Sequence, residues 1–237
     1  MPHRRASDLS AADRAAILRD AEIAAGLPQE TLALLAEGSA AVDFRRRRFI
    51  YRRGEVADAL YCIARGRVKV CSIDDVTGRE AVIDIVGPGA LFGESSLYSA
   101  GVREKCAIAY EQARLLRIPA GVYREGMAAS RELYDYTFRM VGQRLSRAER
   151  RVADFALDAI PARLDKLLVD LSERYGRPEA EGVLIDLPLP HREIASIVGS
   201  TRESVTVRLN DMRRAGMIDF VDRKILIKPP PTELATA

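Results

Sequence analysis

Residues 191–218, His-Arg-Glu-Ile-Ala-Ser-Ile-Val-Gly-Ser-Thr-Arg-Glu-Ser-Val-Thr-Val-Arg-Leu-Asn-Asp-Met-Arg-Arg-Ala-Gly-Met-Ile, gather the side chains of this chain best suited to reading a base edge. Arg202 can donate two parallel bonds to O6 and N7 of guanine, and Glu203 can accept from N4 of cytosine. Ser200 and Thr201 precede them, and hydroxyls with free N–H groups at a helix start suit a DNA phosphate. Ser200-x-x-Glu203 also matches a capping box, which gives Glu203 a structural alternative. Advancing about 100° per residue from Arg202 turns Glu203, Thr206, Val207 and Asn210 outward. An outward valine fits contact with a thymine methyl. Arg208 lies beside the inward side and fits a phosphate contact or an internal ion pair equally. Lys224 and Lys228 further on suit phosphates better than bases.

Such side chains need a rigid mount. Gly199 separates two short helical patterns, and Val205, Leu209 and Met212 share a face that must pack on Ile194, Ile197 and Val198. This is the layout of a helix-turn-helix, with a recognition helix predicted at about 201–213 and its N-terminal residues in the major groove of double-stranded DNA. Met217–Lys228 reads as two strands about a tight turn, a wing. The bland alternative is a helix pair packed internally in a protein-interaction domain.

Upstream, glycines recur at Gly54, Gly66, Gly78, Gly87, Gly89, Gly93 and Gly101, with short apolar runs at 59–64, 68–73, 81–86, 106–110 and 113–118. Short strands at near-regular spacing predict a β-sandwich or barrel. From Arg131 to Ile160 the period becomes helical. Tyr134, Phe138, Val141, Leu145, Ala148, Val152, Phe155 and Ala159 are spaced by fours and threes, a narrow heptad seam flanked by charge. That favours a two-stranded coiled coil over a helix lying on its own β-domain. Phe138, Val141, Leu145, Ala148, Val152 and Phe155 are the predicted dimer contacts. Pro161 opens a further helix with Leu164, Leu167, Leu168 and Leu171 on one face, and 176–182 reads as an exposed loop. The expected class is α+β, in four parts: an N-terminal extension over 1–26, a jelly-roll-like β-roll sensor over 27–119, a long dimerisation helix over 120–160 and a winged helix-turn-helix domain over 161–237.

The 237 residues carry a net charge of only +3, so the charge of the whole chain argues little for nucleic acid. No apolar run reaches the ~20 residues of a membrane helix, and Met1–Asp8 lacks a signal-peptide core; a cytoplasmic protein without membrane contact is expected. Cys62, Cys71 and Cys106 are neither paired by spacing nor joined by enough histidine (His3 and His191) for a zinc site. They read as buried thiols, with thiol sensing through Cys106 beside Arg103 and Lys105 as the alternative. No nucleophile–base pair or Walker loop is visible, which argues against an enzyme.

The whole order of elements from Leu27 to Lys228 resembles the CRP/FNR family of bacterial transcription regulators. Gly54-Glu-Val-Ala-Asp-Ala-Leu-Tyr-Cys-Ile-Ala-Arg-Gly66-Arg-Val resembles its first sensor strands. Gly87-Pro-Gly89-Ala-Leu-Phe-Gly93-Glu94-Ser-Ser-Leu97 resembles its effector cassette, and Val198-Gly-Ser-Thr-Arg-Glu-Ser-Val the start of its recognition helix. The resemblance implies a homodimer on an inverted-repeat operator and a small effector in the β-roll that repositions the long helices and DNA heads. It implies effector contacts at Gly93, Glu94, Ser95, Arg103 and Lys105, and RNA polymerase as a partner if the protein activates. Departures limit it. Glu104 follows Arg103 where cyclic-nucleotide binders have a small residue, and Leu145-Ser-Arg-Ala-Glu149 lacks the Thr-Ser pair that reads adenine, which argues against cAMP. The N-terminal cysteine cluster of iron–sulfur members and a heme-ligating histidine in the β-domain are both missing. Val207 stands where many members carry a second base-reading arginine, so the operator should differ. The competing reading is a ligand-binding signalling module acting on a protein partner, with a degenerate DNA head.

Overall fold

The computed structural model describes residues 9–98 and 101–229, and residues 1–8 of the expected N-terminal extension lie outside them. The chain falls into two compact units, Met1–Ser146 and Arg147–Ala237.

In the first unit, α1 (Ala11–Arg19) opens on a reciprocal cap: Asp13 N–H donates to Ser10 Oγ, and the Asp13 carboxylate accepts from Ser10 N–H. A short 3-10 turn (Glu22–Ala24) and α2 (Gln29–Gly38) follow. Leu18 and Ile23 are fully buried in one cluster with Leu35, Leu60, Leu116, Tyr123 and Leu133. The described part of the expected extension is therefore part of the β-roll's core.

The strands are β1 (Ala40–Phe44), β2 (Phe49–Tyr51), β3 (Ala59–Arg65), β4 (Val68–Ile73), β5 (Glu80–Val86) and β6 (Leu91–Phe92). After a single turn of helix, α3 (Ser95–Tyr98), come β7 (Cys106–Ala109) and β8 (Ala113–Pro119). They form two four-stranded antiparallel sheets, ordered β1-β8-β3-β6 and β2-β7-β4-β5. Strand β3 shows why its run is almost wholly apolar. Successive side chains point to opposite faces: Ala59, Tyr61 and Ile63 pack with Phe44, Phe92 and Leu115, while Leu60 and Cys62 pack with the helices. A strand buried on both faces loses the polar alternation of a half-exposed one.

Two helices follow, α4 (Ala120–Ala129) and α5 (Arg131–Leu157), where the sequence predicts one over 120–160. Ser130 separates them with an extended backbone, and its hydroxyl accepts from Leu133 N–H at 3.2 Å. Serine at that point can cap the new helix, which favours a restart over continuation.

The second unit contains α6 (Ile160–Tyr175), β9 (Gly176–Glu179), β10 (Gly182–Ile185), α7 (His191–Val198), α8 (Arg202–Arg214), β11 (Ile218–Val221) and β12 (Lys224–Ile227). Pro161 lies in the first turn of α6, whose Leu164, Leu167, Leu168 and Leu171 are buried. The sheet is ordered β11-β12-β10-β9. Residues 176–179, expected as loop, are instead an exposed edge strand paired to β10; its Pro178 sits where edge strands tolerate proline. The predicted wing is present, turned by Asp222 and Arg223, both at positive φ, the hand that suits a two-residue hairpin.

Candidate nucleic-acid interface and sensor cassette

Helices α7 and α8 form a tight pair. Val205 and Leu209 are fully buried and Met212 nearly so, as are Ile194, Ile197 and Val198 on the facing helix. Gly199 ends α7 in the left-handed region at φ 64°, and its N–H donates to Ala195 O. The left-handed backbone favours glycine, and a Cβ there would lie 2.6 Å from Phe155 Cε1, so any other residue must also displace that ring.

The inward packing leaves the start of α8 exposed. Arg202 and Glu203 are exposed, and so is Val207, at 60%. The cap differs from the sequence expectation by one residue. Thr201, not Ser200, is the N-cap, accepting from Ser204 N–H at 3.2 Å. Ser200 Oγ is buried without a hydrogen-bond partner. The Ser200–Glu203 capping box is thus absent, which frees the Glu203 carboxylate from that structural role.

Thr206 is half-buried and engaged: its hydroxyl donates to Arg202 O at 2.8 Å and meets His191 Nδ1 at 2.8 Å. With the hydroxyl proton spent on the carbonyl, the network assigns the imidazole Nδ1–H as donor. Desolvation, then the Arg202 charge, lowers the His191 pKa below its ordinary 6.5. Arg208 resolves to the internal alternative, reaching both oxygens of Asp165 at 3.1 and 3.2 Å. Lys224 is also engaged, 2.6 Å from Asp186, and Lys228 lies 3.5 Å from Asp219. Arg223, passed over in the sequence, is the exposed cation at the wing tip. His191 was passed over as well. Its signal would have been a lone histidine at the first position of α7, which alone says little.

In the first unit, the cassette brings together most of the residues that the resemblance names. Gly93, at φ 88°, lies where a Cβ would come within 3.1 Å of Arg103 Nη1 and 3.2 Å of Ala59 O. Arg103 is buried. It donates to Gly93 O at 2.9 Å and to Ala59 O, and its guanidinium carbon lies 4.2 Å from the centre of the Tyr51 ring. Ser95 Oγ is 3.5 Å from Nη1. Arg103 Nε is a buried donor without a hydrogen-bond partner. Burial pushes the Tyr51 phenol well up from its ordinary value, against the opposing charge of Arg103. Glu94 is paired with Arg144 of α5, which also donates to Leu91 O. Glu104 is exposed and Lys105 half-buried. The other guanidinium nitrogens are committed, so an anion that took them would have to displace two carbonyls.

Along α5 the seam residues Tyr134 (53%), Phe138 (71%), Leu145 (59%) and Val152 (69%) are exposed, Ala148 is exposed and Val141 is half-buried. Phe155 is exposed too (45%), but it also touches Gly199, and Arg163 stacks on its ring at 4.9 Å. All three cysteines are buried and unbridged. Cys106 Sγ accepts from Arg53 N–H, and burial pushes the Cys62 thiol up to about 12.

A winged helix-turn-helix whose second helix starts exposed, on a chain that also carries a β-roll, defines the class: a DNA-binding regulator. Residues 25–130 match the cyclic nucleotide-binding domain and residues 162–232 the Crp-like helix-turn-helix domain. The CRP-like cAMP-activated global transcriptional regulator of Mycobacterium tuberculosis is 31% identical over 211 residues, spanning 89% of this chain and 94% of that protein. The global nitrogen regulator of a Nostoc species is 29% identical over 191 residues, 80% of this chain and 85% of its own. A CRP/FNR-family transcriptional regulator of Thermus thermophilus superposes with a TM-score of 0.64 at 28% identity, over 80% of this chain and 93% of that one. The chain belongs to the CRP/FNR family and is a DNA-binding transcription regulator of that type. No helix among the described residues is long and apolar enough to cross a membrane.

Proposed function

We propose that two copies of this chain pair along the α5 seam and set their α8 helices on the two halves of an inverted-repeat operator. The carrying observation is that Arg202, Glu203 and Val207 stand free on a helix whose opposite side is fully buried. Arg202 reads guanine, Glu203 cytosine, and Val207 a thymine methyl. Thr201 and the helix start meet a phosphate, as does Arg223 on the wing. Thr206 and Arg208 support the helix through His191 and Asp165, and Lys224 supports the wing from Asp186. Phe138, Val141, Leu145, Ala148 and Val152 form the seam, with Phe155 at its end turned to the helix-turn-helix.

A small effector held among Gly93, Glu94, Ser95, Arg103 and Lys105 would bias the pair toward its DNA-competent state, to the extent that it binds that state more tightly. The M. tuberculosis relative is cAMP-activated. Here Glu104 beside Arg103 opposes a cyclic phosphate by like charge. We read the protein as a cytoplasmic binding protein rather than an enzyme, and RNA polymerase as its partner where it activates.

Selection of purified protein against random duplexes tests the reading. An enriched palindrome, with half-sites about 10–10.5 base pairs apart or a multiple of that, bound by two chains, is expected. The absence of any enriched sequence would favour a signalling module that acts on a protein partner.

A further inference from the structure

Two of the three cysteines face each other. In the pairing of β4 with β7, Val68 lies opposite Ala109 and Cys71 opposite Cys106. One step before Val68 in that register, Tyr110 N–H donates to Arg67 O at 2.9 Å. Hydrogen-bonded and non-hydrogen-bonded positions alternate along an antiparallel ladder, so Cys71 and Cys106 take a hydrogen-bonded one, with Cα atoms about 5.5 Å apart. Disulfides are commonest near that separation, and directly opposed residues put their side chains on one face. The two thiols share that face with Ile108 in a small cluster of their own, covered by the half-buried Phe49 and Ile73. Val68, Ala107 and Ala109 of the same strands point to the larger core on the other face. Cys71 is fully buried and Cys106 is 5% exposed. The pair therefore lies under one thin apolar layer, with the Arg52 guanidinium over the Phe49 ring at 3.6 Å. Cys62 differs: it packs under the helices, and burial keeps its thiol protonated.

Cys106 is also tied to the cassette. The sheet order places β7 between β2 and β4. Arg53, two residues past the end of β2, donates its N–H to Cys106 Sγ at 3.4 Å. The next two residues hold the backbone of the buried Arg103: Gly54 N–H donates to Arg103 O at 2.8 Å, and Arg103 N–H to Glu55 O at 2.7 Å. One short segment, 53–55, grips both the thiol and the cassette arginine. Opposed Cβ atoms lie about 4.5–5.5 Å apart and a disulfide needs about 3.5–4.5 Å, so closure pulls Cys106 Sγ toward β4 and away from Arg53.

We propose that Cys71 and Cys106 form a peroxide-responsive dithiol site whose reversible disulfide loosens the 53–55 segment and, through it, Arg103. Cys106, the less buried of the two, attacks one oxygen of hydrogen peroxide as its thiolate. The O–O bond breaks, water leaves with the thiol's proton, and a sulfenic acid remains. The Cys71 sulfur then attacks Cys106 Sγ: the S–S bond forms, the S–O bond breaks, and the second thiol's proton leaves in a second water. Two thiols give up two electrons, and one peroxide becomes two waters. Where thiols are kept reduced, such a bond is a transient signal and not a permanent brace. The chemistry is independent of the DNA-binding reading; its use as a signal rests on that reading.

The test treats the reduced full chain with stoichiometric hydrogen peroxide, alkylates it and digests it without reductant. A Cys71–Cys106 linked peptide, lost on addition of dithiothreitol, is expected. In Cys71→Ser oxidation should stop at a Cys106 sulfenic acid, trapped by dimedone, and Cys62→Ser should link as the wild type does. Amide hydrogen exchange at Gly54 and Arg103 should become about fivefold faster on oxidation of the wild type and stay unchanged in Cys106→Ser. Affinity for the palindrome selected from random DNA should shift by about fivefold or more and return with dithiothreitol. Thermal melts confirm that each variant is folded. Absence of the linked peptide from folded, oxidised protein would overturn the proposal, as would linkage through Cys62. A linked peptide with unchanged exchange at Gly54 and Arg103 would overturn the coupling to the cassette. A wild type that links and changes its exchange, yet selects no palindrome, would strike the operator reading alone and uphold the site.

Discussion

The DNA head and the sensor cassette hold their polar side chains in opposite ways. On α8 the side chains proposed to read bases stand free, and the engaged groups sit behind them: Thr206 on Arg202 O, His191 on Thr206, Arg208 on Asp165. In the cassette the named residues are themselves engaged, Arg103 with Gly93 O and Ala59 O, Glu94 with Arg144. The head is preorganised, so its partner meets side chains that need break nothing. A ligand of the cassette must compete with internal bonds, so affinity there depends on what it displaces. On the proposed reading, the first is a surface that reads and the second is one in which binding must rearrange something, as a switch requires.

If the contrast is right, removing a free residue changes DNA recognition and leaves stability alone. Arg202→Ala should cost about 1–3 kcal/mol per half-site and blur one base position. A symmetric pair presents the loss twice. A mobility-shift series over operators substituted one base at a time measures both effects, and a urea midpoint equal to wild type shows that the helix is intact. Unaltered base preference would remove Arg202 from the reading face.

Removing an engaged residue should do the reverse. Arg144 and Glu94 have side chains only 21% and 15% exposed. Arg144→Ala leaves a largely buried carboxylate without its cation and strips a donor from Leu91 O. A loss of about 2 kcal/mol is expected, below that of a fully buried pair and above that of a surface one. A double-mutant cycle with Glu94→Gln in urea isolates the pair. Additive effects would mean that the ion pair contributes nothing and that Glu94 is freer than its geometry implies.

The two regions also differ in how much could be read from sequence. The head was legible because its information is local. Glycine at 199 and a 3.6-residue period fixed the inward Val205, Leu209 and Met212 and the outward Arg202, Glu203 and Val207. The β-roll strands were legible through their glycine spacing, although β1, β2 and β6 were not. What failed was whatever required a partner distant in sequence. Lys224 looks like a free cation until Asp186, 38 positions away, is brought beside it, and the choice for Arg208 between a phosphate and an internal ion pair stays open until Asp165, 43 positions away, closes it. Arg144 pairs with Glu94 across 50 positions. The cap at Thr201 rather than Ser200 is a one-residue choice between two hydroxyls that propensity cannot separate. The helix break at Ser130 has neither proline nor glycine to announce it.

The wing supplies a smaller contrast. Lys224 is 2.6 Å from Asp186, whereas Arg223 at the turn is exposed. Arg223→Ala should weaken binding alike on all sequences and lower the salt slope by about 0.9. Lys224→Ala should change affinity by less than about 1 kcal/mol, because its charge is compensated by Asp186. Equal slopes for the two variants would show that Lys224 leaves Asp186 when DNA arrives.

His191 gives the smallest effect and one with a defined sign. Its folded pKa lies below 6.5 because desolvation, and secondarily the charge of Arg202, disfavours the imidazolium. The neutral ring already donates through Nδ1 to Thr206, so a second proton gains no bond there. The unfolded chain takes up that proton first on acidification. Stability from this site is therefore full above about pH 6.5 and is lost as pH falls from there toward the folded value. Melting temperatures between pH 7.5 and 5 should decline more steeply for the wild type than for His191→Gln, which cannot titrate. Parallel curves would show that the ring is as well solvated in the native state as in the unfolded one, and that Thr206 and the start of α8 are held without it.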